Sequence, residues 1–281
     1  MLRRKRWLRE AVSWAVIVAV AGFLLFPFLW MAITSLKTNR ELYDLSAAPL
    51  LIRQGITVEH FELLLRRTSF LTWLRNSFLV SLVTTIITLV TSLPGAYAIT
   101  RMTFPGQEAL GLAVFLAYLV PPTLLFVPLA QVVASLGLMD TLWALILTYP
   151  TFTVPFSTWL LSGYLKGIPR ELEESAMVDG ATRLRALLTV VLPVAAPGVV
   201  TVLLFAFTLS WGHMIYALAF VSRSTWKVLP VGLLTELVRG DVFYWGALMA
   251  GALASALPVL ALYSLFTRYF VAGLTAGATK F

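Results

Sequence analysis

A chain of 281 residues that is 59% hydrophobic and only 12% charged lacks the polar surface of a soluble domain, in which about a quarter of residues are charged. Its net charge of +8 fits contact with anionic lipid headgroups rather than with nucleic acid, for which no binding motif is present. Cysteine is absent, which excludes a disulfide frame, a thiol nucleophile and a cysteine metal site.

The chain opens on "MLRRKRWLRE", the basic flank of a secretory signal or of a first membrane helix. The apolar run that follows, 11–33, is longer than the roughly 7–15 residues of a signal core, so the sequence predicts a retained helix. A cleaved signal is the alternative, but the small-residue stretch "LSAAP" at 45–49 lies too far downstream. Six stretches reach the length of about 20 apolar residues that a crossing needs: 12–36, 74–99, 108–136, 142–165, 190–221 and 243–268. Their interiors hold no Asp, Glu, Lys or Arg, as expected when each central charge costs about 2.5–3.5 kcal/mol to insert. Pro27, Pro94, Pro121, Pro122, Pro128, Pro150, Pro155 and Pro258 fall inside them and predict kinks. A β-barrel would instead show alternating segments of about ten residues, and none appear. The fold class expected is an all-α membrane protein, a kinked bundle of six transmembrane helices with coupling helices between the fourth and fifth.

Six crossings leave both ends on one side. Arg3, Arg4, Lys5, Arg6 and Arg9 place that side in the cytoplasm. The total is less one-sided, 12 basic residues inside against 9 outside, but the terminal cluster adjoins the first span. This topology makes 1–11 and 269–281 cytoplasmic tails, 166–189 a cytoplasmic loop, and 37–73 and 222–242 the longer external loops. Phe61, Leu64, Leu65, Leu71 and Leu74 predict a surface helix leading into the second span.

The stretch "ELEESAMVDGATRLRALLTVVLP", 171–193, gathers four acids and two arginines around one glycine. Pro169 suits a first helical position, and Glu171, Glu173 and Glu174 complement the positive end of the helix dipole. Gly180 is placed to end that helix in the left-handed conformation. Thr182 can cap a second helix, with Leu184, Leu187, Leu188 and Val191 on one face. Pattern alone leaves two readings, a docking element on a membrane protein or an ordinary interfacial loop helix.

Glu174-Ser175-Ala176, Gly180 four positions on, and Val190-Val191-Leu192-Pro193 resemble the EAA motif of ABC importer permeases. That motif runs Glu-Ala-Ala, three residues, Gly, nine residues, Ile, any residue, Leu-Pro. Ser175 and Val190 depart from it conservatively. "AYAITRMTFPG" (96–106) and "WLRNSFLVS" (73–81) resemble the sugar-importer branch that includes maltose permeases. "GLTAGATKF" (273–281) resembles its C-terminal signature, with departures at Thr279 and Phe281. The resemblance covers nearly the whole chain. It implies half of a sugar pathway, with a di- or oligosaccharide as cargo. It implies as partners a second, usually different permease, two ATPase subunits that use ATP and magnesium, and an extracytoplasmic sugar-binding protein. It assigns ATPase coupling to Glu174, Ser175, Ala176, Asp179, Gly180, Leu192 and Pro193, and tail contacts with the ATPases to Gly273, Thr275, Gly277 and Lys280. No catalytic residue, metal or cofactor is expected on this chain itself. A permease for a polyol or glycerol phosphate, a stand-alone channel or proton-coupled carrier, and a scaffold that merely anchors ATPases are the alternatives.

Other features weigh less. "GLTAGATK" lacks the spacing and following helix of a phosphate loop. His213, in "SWGHMIYAL", suits a sugar contact or gate beside Trp211, set against a packing histidine. The sugar branch commonly has Trp-Asn-acid where this chain has Trp211-Gly212-His213. His60 reads as solvated, Asn76 as a helix cap, Asp140 and Asp241 as loop acids. Trp7, Trp30, Trp73, Trp226, Trp245 and Tyr269 read as interfacial anchors.

Overall fold

The computed structural model describes residues 2–44, 46 and 48–278, with side chains described between 9 and 269. Apart from one two-residue β pair, Val238–Arg239 with Val242–Phe243, the regular elements are helical. Four of them are long and apolar enough to cross a membrane: Arg9–Leu36, Phe70–Arg101, Leu142–Lys166 and Trp245–Tyr269. The expected third and fifth spans are each broken by a sharp bend, which brings the total to six if each bent pair is one span.

Both breaks follow from local chemistry. The third span divides into α5 (Gln107–Leu119) and α6 (Pro122–Ser135), bent by 97°. Val120 and Pro121 are extended, with ψ of 117° and 129°. A following proline disfavours helical ψ, and two prolines in a row stop one helix and start the next. The fifth divides near Ala195, where the segment Arg183–Val194 meets α12 (Ala196–Trp211) at 80°. Its helix then stops at Gly212 and resumes as α13 (Ile215–Phe220). The prolines at 94, 155 and 258 instead lie inside continuous helices, α4 (Phe70–Arg101), α8 (Pro150–Lys166) and α15 (Trp245–Ala278).

The chain forms two compact units. In the first, residues 1–70 with 233–257, α1 (Leu2–Leu36) presents an apolar surface with Phe23 79% and Trp14 67% exposed. After it, α2 (Asn39–Leu42) and α3 (Glu59–Arg67) enclose a charged node. Lys37 Nζ donates to the Ala48 carbonyl at 2.8 Å and lies 3.4 Å from Glu41. Glu41 also accepts the Arg53 and Gln54 amides. Burial would raise the Glu41 carboxyl, but these donors outweigh it and hold it below its ordinary value. His60 is buried and bonded through Nε2 to the Lys37 carbonyl at 2.8 Å. It is therefore not the solvated histidine the loop composition suggested.

In the second unit, residues 71–232 with 258–281, α4 carries Ser77, Ser81, Thr84, Thr88 and Ser92 on one buried face. Thr88 bonds Thr153 of α8 at 2.7 Å. Small polar residues at such a seam let helices approach closely without lipid between them. Gly198 shows the same need: a Cβ there would lie 2.6 Å from the Tyr164 ring. Two apolar clusters fill the unit, one around Leu145, Tyr149, Tyr216 and Phe220, the other around Ala96, Leu161, Leu165, Leu187 and Val191. Asn76 is no cap; it is buried within α4 and donates to the Thr225 and Lys227 carbonyls at 2.9 and 3.0 Å. Trp73 is fully buried, not interfacial, with Nε1 donating to Ser224 O at 2.9 Å.

Candidate functional site

The stretch 171–193 folds as helix, turn, helix. The first helix, α9 (Glu171–Val178), has Glu171, Glu173 and Glu174 in its first turn. It starts two residues after Pro169, which lies in the preceding connection rather than at the first helical position. At its other end Gly180 has φ +90°. The Gly180 amide bonds Met177 O and the Ala181 amide bonds Ala176 O, both at 3.0 Å. This double closure satisfies carbonyls that the helix end leaves free. Thr182 then caps α10 (Arg183–Ala186), its hydroxyl accepting the Arg185 amide at 3.3 Å.

Beyond α10 the helix widens into a π turn, Leu187–Val191, before the short α11 (Leu192–Val194). Pro193 has no amide to offer the preceding turn and its ring crowds that turn's carbonyls. The wider turn, closed by the Leu192 amide on Leu187 O, accommodates it. The widening also changes the face. Ala186, Leu187 and Val191 are buried, whereas Leu184 and Leu188 are 66% and 51% exposed, contrary to the single apolar face expected.

The outer side of this hairpin mixes charged residues with uncovered apolar ones. Val178 beside the glycine turn is 87% exposed and Leu172 43%. Glu174, Ser175, Asp179 and Gly180 are exposed with them, Ala176 and Leu192 are partly buried, and Pro193 is exposed.

Its inner side rests on a polar clamp that sequence reasoning missed. Glu173 is only 6% exposed and accepts the Tyr97 hydroxyl of α4. Arg101, the last residue of α4, has Nε 3.9 Å from the same carboxylate. Its NH2 donates to Leu165 O and Ile168 O at 2.7 and 2.6 Å. Arg170 returns a bond to Thr100 O at 2.8 Å. The signal available was periodicity. Glu173 shares the inward face of α9 with the partly buried Ala176 and Met177, and an acid on that face needs a partner.

The two pathway candidates have different neighbours. Trp211 is buried and stacks on Phe207 with ring centroids 5.5 Å apart. His213 lies in the break between α12 and α13, stacked on Phe152 at 4.5 Å and edge-on to Tyr149 and Tyr216. Tyr149 OH donates to the His213 carbonyl at 3.0 Å, while His213 Nε2 is buried without a partner. Asp140 is not a free loop acid. It accepts the Ser222 and Arg223 amides at 2.8 Å and pairs with the Arg223 guanidinium at 2.9 Å. Gly273, Thr275 and Gly277 fall in the final turns of α15; Lys280 lies outside the described residues. Among the described residues no cluster of His, Cys, Asp or Glu could hold a metal.

Four apolar spans, or six if each bent pair is one, with an exposed helix–turn–helix between them, fit the membrane subunit of a transport machine. Residues 95–276 match the family described as the binding-protein-dependent transport system inner membrane component, and the chain belongs to that family. It is 34% identical to the inner membrane ABC transporter permease protein YcjP of Escherichia coli K12, over 100% of both chains. It is 34% identical to the diacetylchitobiose uptake system permease protein DasC of Streptomyces coelicolor, over 95% of this chain and 96% of that one. Its fold matches a chain of a bacterial ABC transporter involved in import of the acidic polysaccharide alginate, with TM-score 0.78 and 20% identity over 95% and 98% of the two chains.

Proposed function

We propose that this permease forms half of the membrane pathway of an ATP-driven sugar importer, with the 171–193 hairpin in the cytoplasm as the docking point of a separate ATPase. Both chain ends are then cytoplasmic, and ATP and magnesium are used by the partner subunits. A second permease completes the pathway, and an external binding protein delivers a di- or oligosaccharide. The observation that carries the reading is the hairpin itself. Glu174, Ser175, Asp179 and Gly180 stand exposed beside Val178, and apolar side chains at a water-facing tip call for a protein cover.

As the ATPases close on nucleotide, each carries the hairpin seated in it, and the permease halves rock between inward-open and outward-open states. Glu174 makes polar contacts at the ATPase surface, Gly180 sets the angle between the helices, and Leu192–Pro193 joins the second helix to α12. Sugar as cargo is supported by the sugar-branch resemblance of 73–81 and 96–106 and by the diacetylchitobiose system to which DasC belongs.

The test is reconstitution of the permease pair, ATPase and binding protein in liposomes with a panel of sugars, polyols and glycerol phosphate. The reading predicts that a sugar raises both hydrolysis and uptake. Uptake by this chain alone, without ATPase, would overturn it.

A further inference from the structure

Resting on the docking role of the hairpin, we propose that Glu173 is a positioning residue that locks α9 to the end of α4, so that the stroke reaches two membrane helices as one rigid body. One covalent route from the hairpin runs back through residues 167–170 to α8, and the other runs through α10, the π turn and α11 into α12. A π turn is a poor strut, because it is one of the places where helices kink sharply. The 80° bend that follows it turns a push along one axis into a sideways load.

The clamp bypasses both. Glu173 binds the Tyr97 hydroxyl and faces Arg101, both on α4. Arg101 ties α4 to Leu165 and Ile168, at the end of α8 and the turn after it. Arg170, immediately before α9, reaches back to Thr100. Links in both directions, with the Glu173 and Arg101 side chains taken out of water, resist shear better than a single contact, and a buried charge left without its partner is costly. The exposed face with Glu174 and Val178 meets the motor; the buried face with Glu173 holds the frame.

Because the chain has no cysteine, the lock can be tested by thiol chemistry in the assembled transporter. Glu173→Gln should leave ATPase subunits bound in normal ratio and still hydrolysing, while solute moved per ATP falls roughly three- to tenfold, the scale of one ordinary hydrogen bond. Joining Thr100→Cys to Arg170→Cys with a short bis-maleimide, to which each thiol adds, should leave transport running in the otherwise wild-type chain and restore coupling in the Glu173→Gln background. Loss of transport on joining these ends would show that they must part during the cycle and would overturn the lock. Loss of ATPase binding in Glu173→Gln would also overturn it, by placing Glu173 in docking itself. Were Gly180→Val also to leave coupling normal, the docking reading beneath the proposal would fail as well, a result distinct from failure of the lock alone.

Discussion

Gly180 shows how one residue's backbone sets the hairpin. Nothing lies within 4 Å of a Cβ built there, so its φ of +90° is the sole constraint. A side chain in left-handed backbone costs roughly 1–2 kcal/mol, and more when β-branched. Gly180→Val should therefore lower ATPase recovery or solute moved per ATP at normal expression, with Gly180→Asn milder; the subunit ratio and the uptake-to-hydrolysis ratio measure it. His213→Ala removes the stack on Phe152 and an unpartnered ring nitrogen. If the site lines the pathway, competition uptake should show altered solute preference; unchanged preference would assign the ring to packing. Asp140 contributes a pH signature. Burial opposes its charge, but the Arg223 and Ser222 amides and the Arg223 guanidinium prevail and hold the carboxyl below its usual 3.8. Its folded value is depressed, so the stabilisation is present above the unfolded value and lost as pH falls through the folded one. The brace should hold from neutral pH to about 4 and loosen only below, readable as a change in Trp226 fluorescence that Asp140→Asn removes. At this scale the sequence was legible where the cause is local, as at Gly180 and Thr182. It was not where the cause is distant: Glu173 and Tyr97 meet across 76 positions, and Asp140 meets its amides across 82 and 83.

Among elements, the apolar runs told where helices lie but not where they stop being straight. Pro121–Pro122 broke a helix because both φ values and the preceding ψ were committed at once. Single prolines at 94, 155 and 258 did not. The hydroxyl face of α4 was present in the sequence as serines and threonines three and four apart, but hydropathy alone hides it. Gly198 gives the sharpest test of helix contact in the second unit. Gly198→Ala should cost about 1–3 kcal/mol through overpacking against Tyr164. The expected result is a lower Tm of the purified complex in detergent, with the added cost of Gly198→Ala absent in a Tyr164→Ala background, where the crowding ring atoms are gone. An unchanged Tm for Gly198→Ala would mean that α12 and α8 do not approach as closely as described.

For the whole molecule the central claim is that the 171–193 hairpin faces the cytoplasm and is covered by the ATPase. Val178→Cys is a clean reporter, since Val178 is 87% exposed and the chain has no other thiol. A membrane-impermeant maleimide applied to inside-out and right-side-out vesicles measures its side, and the same labelling with and without bound ATPase subunits measures its cover. The account predicts labelling in inside-out vesicles alone, strongly reduced when the ATPase is present. Labelling from the outer face, or labelling that the ATPase leaves unchanged, would contradict it.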